Sequence, residues 1–122
     1  MSELRRILRA LGYSREGLAS AFRNEAAFRS ECWLAALLLP VALALPLPLL
    51  FRAYLVFAVL LVLITELLNS AIEATVDRIS SEIHPLAKRA KDMGSAAVFL
   101  ALVNALLVWL LALWSMLGHA AG

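Results

Sequence analysis

The sequence predicts an all-α integral membrane protein of one domain, residues 1–122, in which three transmembrane helices follow an amphipathic surface helix. Composition is the first observation behind this prediction: 63% of the 122 residues are hydrophobic and only 16% are charged, and the mean hydropathy is +0.86. A soluble domain would not carry so apolar a surface. The second observation is that residues 32–50, 53–74 and 94–117 form three apolar stretches, each close to the roughly 20 residues that a membrane-spanning helix needs.

The N-terminal segment, residues 1–31, is predicted to lie on the membrane surface. Its apolar residues recur at helical spacing while arginines occupy the other faces, namely Leu4, Ile7, Leu8 and Leu11 against Arg5, Arg6 and Arg9. The run Gly12-Tyr13-Ser14 is expected to break this helix, with Ser14 capping a second amphipathic helix to about residue 30. Glu25 falls on the apolar line of that second helix, so its carboxylate is expected to point toward the bundle.

Prolines and small residues characterise the first and third spans. Pro40, Pro46 and Pro48 predict a kink in the first span and a non-helical end, hence a short turn to the second span. In the third span the small residues share one helix face and predict close helix contact; they are Gly94, Ala101, Ala105 and Ala112. A bundle of only three helices shelters little polar surface, so a homo-oligomer is expected.

The basic residues predict the orientation in the membrane. Six of the eleven Arg and Lys precede the first span and four lie between the second and third. By the positive-inside rule the N-terminus and the second loop are cytoplasmic, and the C-terminus is outside. The net charge of +2 does not indicate a nucleic-acid partner, because the chain has no separate basic domain or aromatic-interleaved basic stripe.

Residues 66–78 (ELLNSAIEATVDR) carry the first candidate site. Five polar side chains fall within about 100° of one helix face, namely Glu66, Asn69, Ser70, Glu73 and Asp77. An ionised carboxylate at membrane depth costs at least several kcal/mol unless it is paired. Mg²⁺ would neutralise two carboxylates and take their oxygens as ligands. The alternative is an interhelical salt-bridge network with Lys88, Arg89 and Lys91.

Residues 88–95 (KRAKDMGS) are predicted to open the third span. Free backbone N–H groups at this helix start favour anions, so Lys91, Gly94 and Ser95 are candidates for binding phosphate oxygens. The hairpin should bring Lys91 and Asp92 to the level of the carboxylate face. A metal-bridged polyphosphate satisfies both groups. His84 and His119 are expected to be solvated loop residues, and Asn104 an interhelical hydrogen-bonding residue.

Three segments closely resemble the prokaryotic diacylglycerol kinase family: residues 24–29 (NEAAFR), 66–78 and 89–97 (RAKDMGSAA). The likeness covers nearly the whole chain, although Ser30 replaces a glutamine and Asn104 an apolar residue of the family pattern. The resemblance implies a homotrimer with active sites shared between neighbouring subunits. It also implies transfer of the ATP γ-phosphate to the hydroxyl of a membrane lipid, diacylglycerol, with formation of phosphatidic acid.

Carried over by position, the resemblance implies roles for individual residues. Glu66 would be the general base, and Glu25 and Glu73 the ligands of Mg²⁺. Asn69, Lys91 and Asp92 would be polar members of the same site. The helix faces described above add Asp77 and Gly94 to Lys91 and Asp92 as nucleotide-phosphate residues, and Ser70 and Ser95 to Asn69 as polar support. Two alternatives stay open: an undecaprenol kinase of the same family, and a non-enzymatic scaffold or ion-conducting bundle in which Glu66 serves as a proton or cation site.

Overall fold

The computed structural model describes the backbone of residues 2–121 and the side chains of residues 2–118. It consists of four helices: α1 (Ser2–Asn24), α2 (Ala26–Ala44), α3 (Leu49–Ile79) and α4 (Pro85–Ala121). Three of them, α2, α3 and α4 as far as Gly118, are long and apolar enough to cross a membrane. The predicted all-helical class with three candidate spans is therefore confirmed. His119 lies outside the residues whose side chains are described.

α3 is the central helix of the bundle and packs along both α2 and α4, while α1 packs against α2. The helices approach closely because most fully buried positions hold small residues. The predicted seam on α4 is confirmed at Gly94, Ala101 and Ala112, which are buried, whereas Ala105 is half-buried. At the far end of the bundle Ala42, Leu55 and Ala112 form a core cluster. Large apolar side chains on the outer faces of the spans remain exposed, as a lipid-facing bundle requires.

The predicted break at Gly12-Tyr13-Ser14 is wrong, because α1 continues through these residues. The hydroxyl of Ser14 donates to the carbonyl of Ala10 at 2.9 Å, one turn back, instead of capping a new helix. The second amphipathic helix expected to reach residue 30 is also wrong. α1 ends at Asn24, Glu25 alone is non-helical, and α2 begins at Ala26.

The helices differ in length from the apolar stretches. α2 ends at Ala44, before residue 50 that was predicted to end the first span, and residues 49 and 50 belong to α3, whereas the other helix ends extend further than predicted. α2 starts before residue 32, α3 reaches Ile79, and α4 starts at Pro85, nine residues before the predicted start of the third span. Hydropathy identifies the part of a helix that crosses lipid, whereas the helix itself continues into the polar region. The predicted non-helical end at Pro46 to Pro48 is confirmed, and Pro40 lies inside α2 without ending it.

The turn between α2 and α3 is held by Arg52. Its Nε donates to the carbonyl of Leu47 at 3.1 Å and its Nη1 to the carbonyl of Leu43 at 2.8 Å. These carbonyls lie where α2 ends and no helical N–H remains to satisfy them. One guanidinium therefore caps α2 and fixes the entry into α3 at the end of the bundle opposite the loop between α3 and α4.

Candidate functional site

The polar face of α3 changes from buried to exposed along the helix. Glu66 is the one buried charged residue among the described side chains, with 8% of its surface exposed. Asn69, Ser70 and Glu73 are half-buried and Asp77 is exposed. Glu66 lies about 16 Å along the helix axis from Asp77. The face thus leads from the loop end of the bundle into its interior.

Glu25 joins this face from the junction between α1 and α2. It is half-buried, has extended backbone angles of φ −115° and ψ 106°, and interrupts two otherwise helical segments. Its carboxylate interacts electrostatically with Glu66, as does that of Glu73. A crevice of about 640 Å³ separates α1 from α3, and both Glu25 and Ser70 line it. The structure therefore gathers the carboxylates of Glu25, Glu66 and Glu73 from two parts of the chain.

Arg29 fixes the corner at which Glu25 lies. Its Nε donates to the carbonyl of Phe22 at 2.9 Å and its Nη2 to the carbonyl of Arg23 at 3.0 Å. The guanidinium also lies 6.0 Å from the centre of the Phe22 ring, and that ring packs edge-on against Trp33. Arg29 thereby satisfies the last carbonyls of α1 from the first turns of α2.

Asn69 connects α3 to α4. Its Nδ2 donates to Oε1 of Glu73 at 3.3 Å, one turn along the same helix. Its Oδ1 is buried and has no hydrogen-bond donor among the described residues. The amide lies against Gly94, which is itself buried. The side chain of Asn69 therefore fills the contact between α3 and α4 at Gly94 and also reaches Glu73.

Lys91 and Asp92 form different ion pairs. Nζ of Lys91 lies 2.6 Å from Oδ1 of Asp77 across the helix pair, whereas Nζ of Lys88 lies 2.6 Å from Oδ2 of Asp92 on α4 itself. A groove of about 280 Å³ next to the connecting loop is lined by Asp77, Lys91 and Asp92 among others. The structure thus brings Lys91 to the carboxylate face, and Asp92 to the rim of the same groove.

The backbone part of the predicted phosphate site is wrong. α4 begins at Pro85, so the amides of Lys91, Gly94 and Ser95 lie inside the helix and bond to carbonyls one turn earlier. Gly94 has no side chain to offer instead, and it is buried against Asn69. Lys91 retains its ammonium group, and Ser95 is exposed on α4 with only its hydroxyl to contribute.

Sequence reasoning missed Glu31. Its carboxyl group lies beside that of Glu66, and its Oε2 is buried without a hydrogen-bond partner among the described residues. Glu31 also stands at one end of an apolar groove of about 320 Å³ between α2, α3 and α4, lined further along by Leu38 and Trp109. A signal was available, because Glu31 lies six residues after Glu25 at the start of an apolar run.

The donor set fits a magnesium ion that is shared with a phosphate ligand. Within residues 2–118, no three His, Cys, Asp or Glu side chains are arranged to hold a metal by themselves. Mg²⁺ is usually bound by one or two carboxylates together with water and substrate phosphates. Glu25 and Glu73, whose carboxylates both act electrostatically on Glu66, would be that smaller set.

Comparison with known proteins identifies relatives over most of the chain. The sequence model of the family described as prokaryotic diacylglycerol kinase matches residues 12–113. The diacylglycerol kinase of Escherichia coli strain K12 is 51% identical over 113 residues, which cover 93% of each chain. That of Pseudomonas aeruginosa is 56% identical over 106 residues, covering 87% of this chain and 86% of the relative. That of Haemophilus influenzae is 48% identical over 106 residues, covering 87% and 90%.

Proposed function

The chain belongs to the prokaryotic diacylglycerol kinase family and is an enzyme of that family, and from this we propose that it transfers the γ-phosphate of ATP to the hydroxyl of diacylglycerol, which forms phosphatidic acid and ADP. The observation that carries the proposal is the group of carboxylates around the buried Glu66. Buried acidic groups persist only with a proton or a cation beside them. Phosphoryl transfer to an alcohol uses both.

Glu66 is the general base in this proposal. The hydroxyl of a diacylglycerol lies just beneath the lipid headgroups, at the depth that Glu66 reaches from the cytoplasmic end of α3. Its carboxylate takes the proton of the hydroxyl as the oxygen forms a bond to the γ-phosphorus and the bond to the ADP oxygen breaks. Glu31, beside Glu66 and at the end of the apolar groove, donates a hydrogen bond from its neutral carboxyl group to an ester carbonyl of the lipid and so orients it, which leaves the hydroxyl proton to Glu66.

Glu25 and Glu73 would hold Mg²⁺ together with the phosphates of ATP. A bound Mg²⁺ neutralises phosphate charge and polarises the transferred group. Asn69 keeps Glu73 in place through its hydrogen bond. Ser70, which lines the crevice beside Glu25, provides a further polar group.

The groove next to the connecting loop would receive the nucleotide at the cytoplasmic face. Lys91 supplies the cation that stabilises charge on the phosphates. Asp77 holds the Lys91 ammonium at the groove until the nucleotide binds. Asp92 and the hydroxyl of Ser95 are polar groups on the same helix, within reach of a nucleotide that extends from the groove.

The assembly is proposed to be a homotrimer in the bacterial inner membrane, with the N-terminus cytoplasmic and the C-terminus outside. Two features support this proposal: the distribution of basic residues, and the large apolar side chains that the three spans leave exposed. α1 would lie on the cytoplasmic surface. Its apolar residues Leu4, Ile7, Leu8 and Leu11 are 49% to 61% exposed and are free to enter the headgroup region.

The test is phosphorylation by the purified, reconstituted protein. Given Mg²⁺, ATP and diacylglycerol, the protein should form phosphatidic acid. Glu66→Gln should lose nearly all activity, whereas Glu16→Gln, which removes an exposed carboxylate from α1, should keep it. Activity retained by Glu66→Gln would refute its role as the base, and absence of ATP turnover with any lipid would favour a scaffold or ion-conducting bundle.

The lipid substrate is tested by competition. The relatives are named diacylglycerol kinases, which favours diacylglycerol over undecaprenol. When both alcohols are offered together, phosphatidic acid should be the main product. Undecaprenyl phosphate as the main product would assign the chain to the alternative kinase activity with the same site chemistry.

A further inference from the structure

Gly94 is a glycine for reasons of space and not of backbone conformation. No glycine among the described residues has a positive φ, so an L-residue would fit the backbone at position 94. A Cβ added to Gly94 would, however, overlap Oδ1 of Asn69 and lie 3.3 Å from its Cγ. Beyond Asn69, the nearest contact of such a Cβ is an ordinary 3.6 Å to Cδ1 of Ile72. The amide of Asn69 thus occupies the room that the missing side chain leaves.

Two contacts fix the orientation of this amide. Nδ2 of Asn69 donates to Oε1 of Glu73 at 3.3 Å. Oδ1 is buried at Gly94 without a hydrogen-bond donor among the described residues. No hydrogen bond from a described residue holds Oδ1 in this position. The amide can adopt this orientation because position 94 has no side chain. The orientation of the donor toward Glu73 therefore depends on Gly94.

We propose that Gly94 is a positioning residue for the metal site. The absence of its side chain lets Asn69 lie between α3 and α4 and direct its N–H to Glu73. This inference rests on the proposed role of Glu73 as a ligand of Mg²⁺. It replaces the predicted role of Gly94 in binding phosphate, which its helical amide cannot fill.

In Gly94→Ala, rotation of the Asn69 side chain would relieve the overlap, and α3 and α4 would not need to move apart. The atom in the way is the end of Asn69, which can rotate, whereas the rest of the contact is of normal length. In Gly94→Ala the amide turns away, and Glu73 loses its donor while α3 and α4 stay packed. Loss of a residue that orients a metal ligand typically weakens metal binding by about 10- to 100-fold.

The experiment measures binding of Mn²⁺ to the reconstituted protein in the presence of a non-hydrolysable ATP analogue. Mn²⁺ replaces Mg²⁺ because it also prefers oxygen ligands. Free Mn²⁺ is followed by electron paramagnetic resonance. Gly94→Ala should raise the dissociation constant about tenfold or more. Gly118→Ala is the matched control: it is the same substitution on the same helix, and apart from the neighbouring backbone of its own helix the added Cβ has no described atom within 4 Å. Its dissociation constant should equal that of the unmodified protein.

A double-mutant cycle separates positioning from packing. Asn69→Ala should weaken Mn²⁺ binding as much as Gly94→Ala, and the double variant should be no weaker than Asn69→Ala alone, because the added methyl then meets no amide. If the increases in the Mn²⁺ dissociation constant of the two single variants multiply in the double variant, the inference is overturned. So would a Gly94→Ala protein that fails to fold while the double variant folds, because the overlap would then be relieved by the helices.

Glu73→Gln distinguishes failure of this inference from failure of the proposed function. If Glu73→Gln weakens Mn²⁺ binding and Gly94→Ala does not, the positioning role of Gly94 is wrong and the metal site stands. If Glu73→Gln binds Mn²⁺ as well as the unmodified protein, the proposed role of Glu73 as a ligand is wrong, and the positioning role falls with it.

Discussion

Nζ of Lys91 lies 2.6 Å from Oδ1 of Asp77, so an ion pair joins the start of α4 to the end of α3. The two side chains are 42% and 64% exposed. Ion pairs this accessible to water contribute little to stability. The pair is the interhelical salt bridge of the purely structural interpretation, but its exposure also leaves the Lys91 ammonium available to a ligand in the adjoining groove.

Lys91→Met is expected to impair nucleotide use more than folding. Removing one preorganised cation from a site of charge transfer typically costs about 100-fold or more in turnover, and here the loss should appear in kcat/KM for ATP. Arg89→Met removes a positive charge two residues away on α4 and should have a small effect. Steady-state kinetics with varied ATP measure both. Equal losses of kcat/KM for ATP in the two variants would show that nucleotide use depends on the total positive charge of this segment and not on Lys91 itself.

Arg29→Lys is expected to weaken the Mg²⁺ dependence of activity. Lysine keeps the charge but loses the planar fork that reaches two carbonyls, so the corner that holds Glu25 loosens. The Mg²⁺ concentration for half-maximal rate should rise about tenfold. Arg23→Lys is the control, since it leaves the Arg23 carbonyl that Arg29 binds unchanged. A Mg²⁺ dependence that does not move would mean that Arg29 only caps α1.

Arg52→Met is expected to lower stability and leave the chemistry intact. The variant loses two hydrogen bonds from a charged donor to the end of α2, which should reduce the free energy of unfolding by about 1–3 kcal/mol. Equilibrium unfolding in mixed detergent micelles measures this, with the exposed Arg78→Met as control. A strong fall in kcat at low temperature, where the variant is folded, would contradict the expectation that Arg52 affects stability and not catalysis.

The sequence was sufficient to predict the elements whose signals are local and strong. Length and hydropathy identify spans, and the spacing of Glu66, Asn69, Glu73 and Asp77 puts them on one helix face. The helix starts were not predictable in the same way. Hydropathy falls where a helix leaves lipid, and nothing local distinguishes the polar turns of α4 from a loop, so the start at Pro85 was missed.

Contacts between elements were predicted least well. Glu31 lies beside Glu66 because α2 begins before residue 31 and packs along α3. Gly94 faces Asn69 because of how α3 and α4 are oriented about their axes relative to each other. Residue spacing within one helix does not reveal that orientation. A glycine in a phosphate-like motif and a glycine required for close packing look alike in sequence, and only the structure separates them.

Glu31→Gln is expected to impair use of the lipid and not of the nucleotide. The carboxyl group lies at the end of the apolar groove with an oxygen that has no hydrogen-bond partner among the described residues, and an amide N–H is a weaker donor to a lipid ester carbonyl than a carboxylic acid is. The ratio kcat/KM for diacylglycerol should fall about tenfold or more, while KM for ATP stays the same. A rise confined to KM for ATP would place Glu31 on the nucleotide side.

Mixing inactive chains tests whether active sites are shared between subunits. Glu66 and Glu73 are two turns apart on α3, about 10 Å along the axis, and a general base must come within about 3 Å of its proton. This separation does not require both carboxylates to come from one chain, so nucleotide held at Glu73 of one chain can be served by Glu66 of a neighbour. We expect Glu66→Gln and Glu73→Gln to be inactive alone and active when dissociated, mixed and reconstituted together.

The size of the recovery is also predicted. In a closed ring of three chains drawn from equal amounts of both variants, about a quarter of the interfaces pair an intact Glu66 with an intact Glu73. Activity should therefore return to about a quarter of the unmodified level. A mixture of Glu66→Gln and Glu66→Ala is the control, since no interface in it contains an intact Glu66. No recovery in the first mixture would mean that both carboxylates act within one chain, and the trimer would then be needed only to cover the exposed apolar faces.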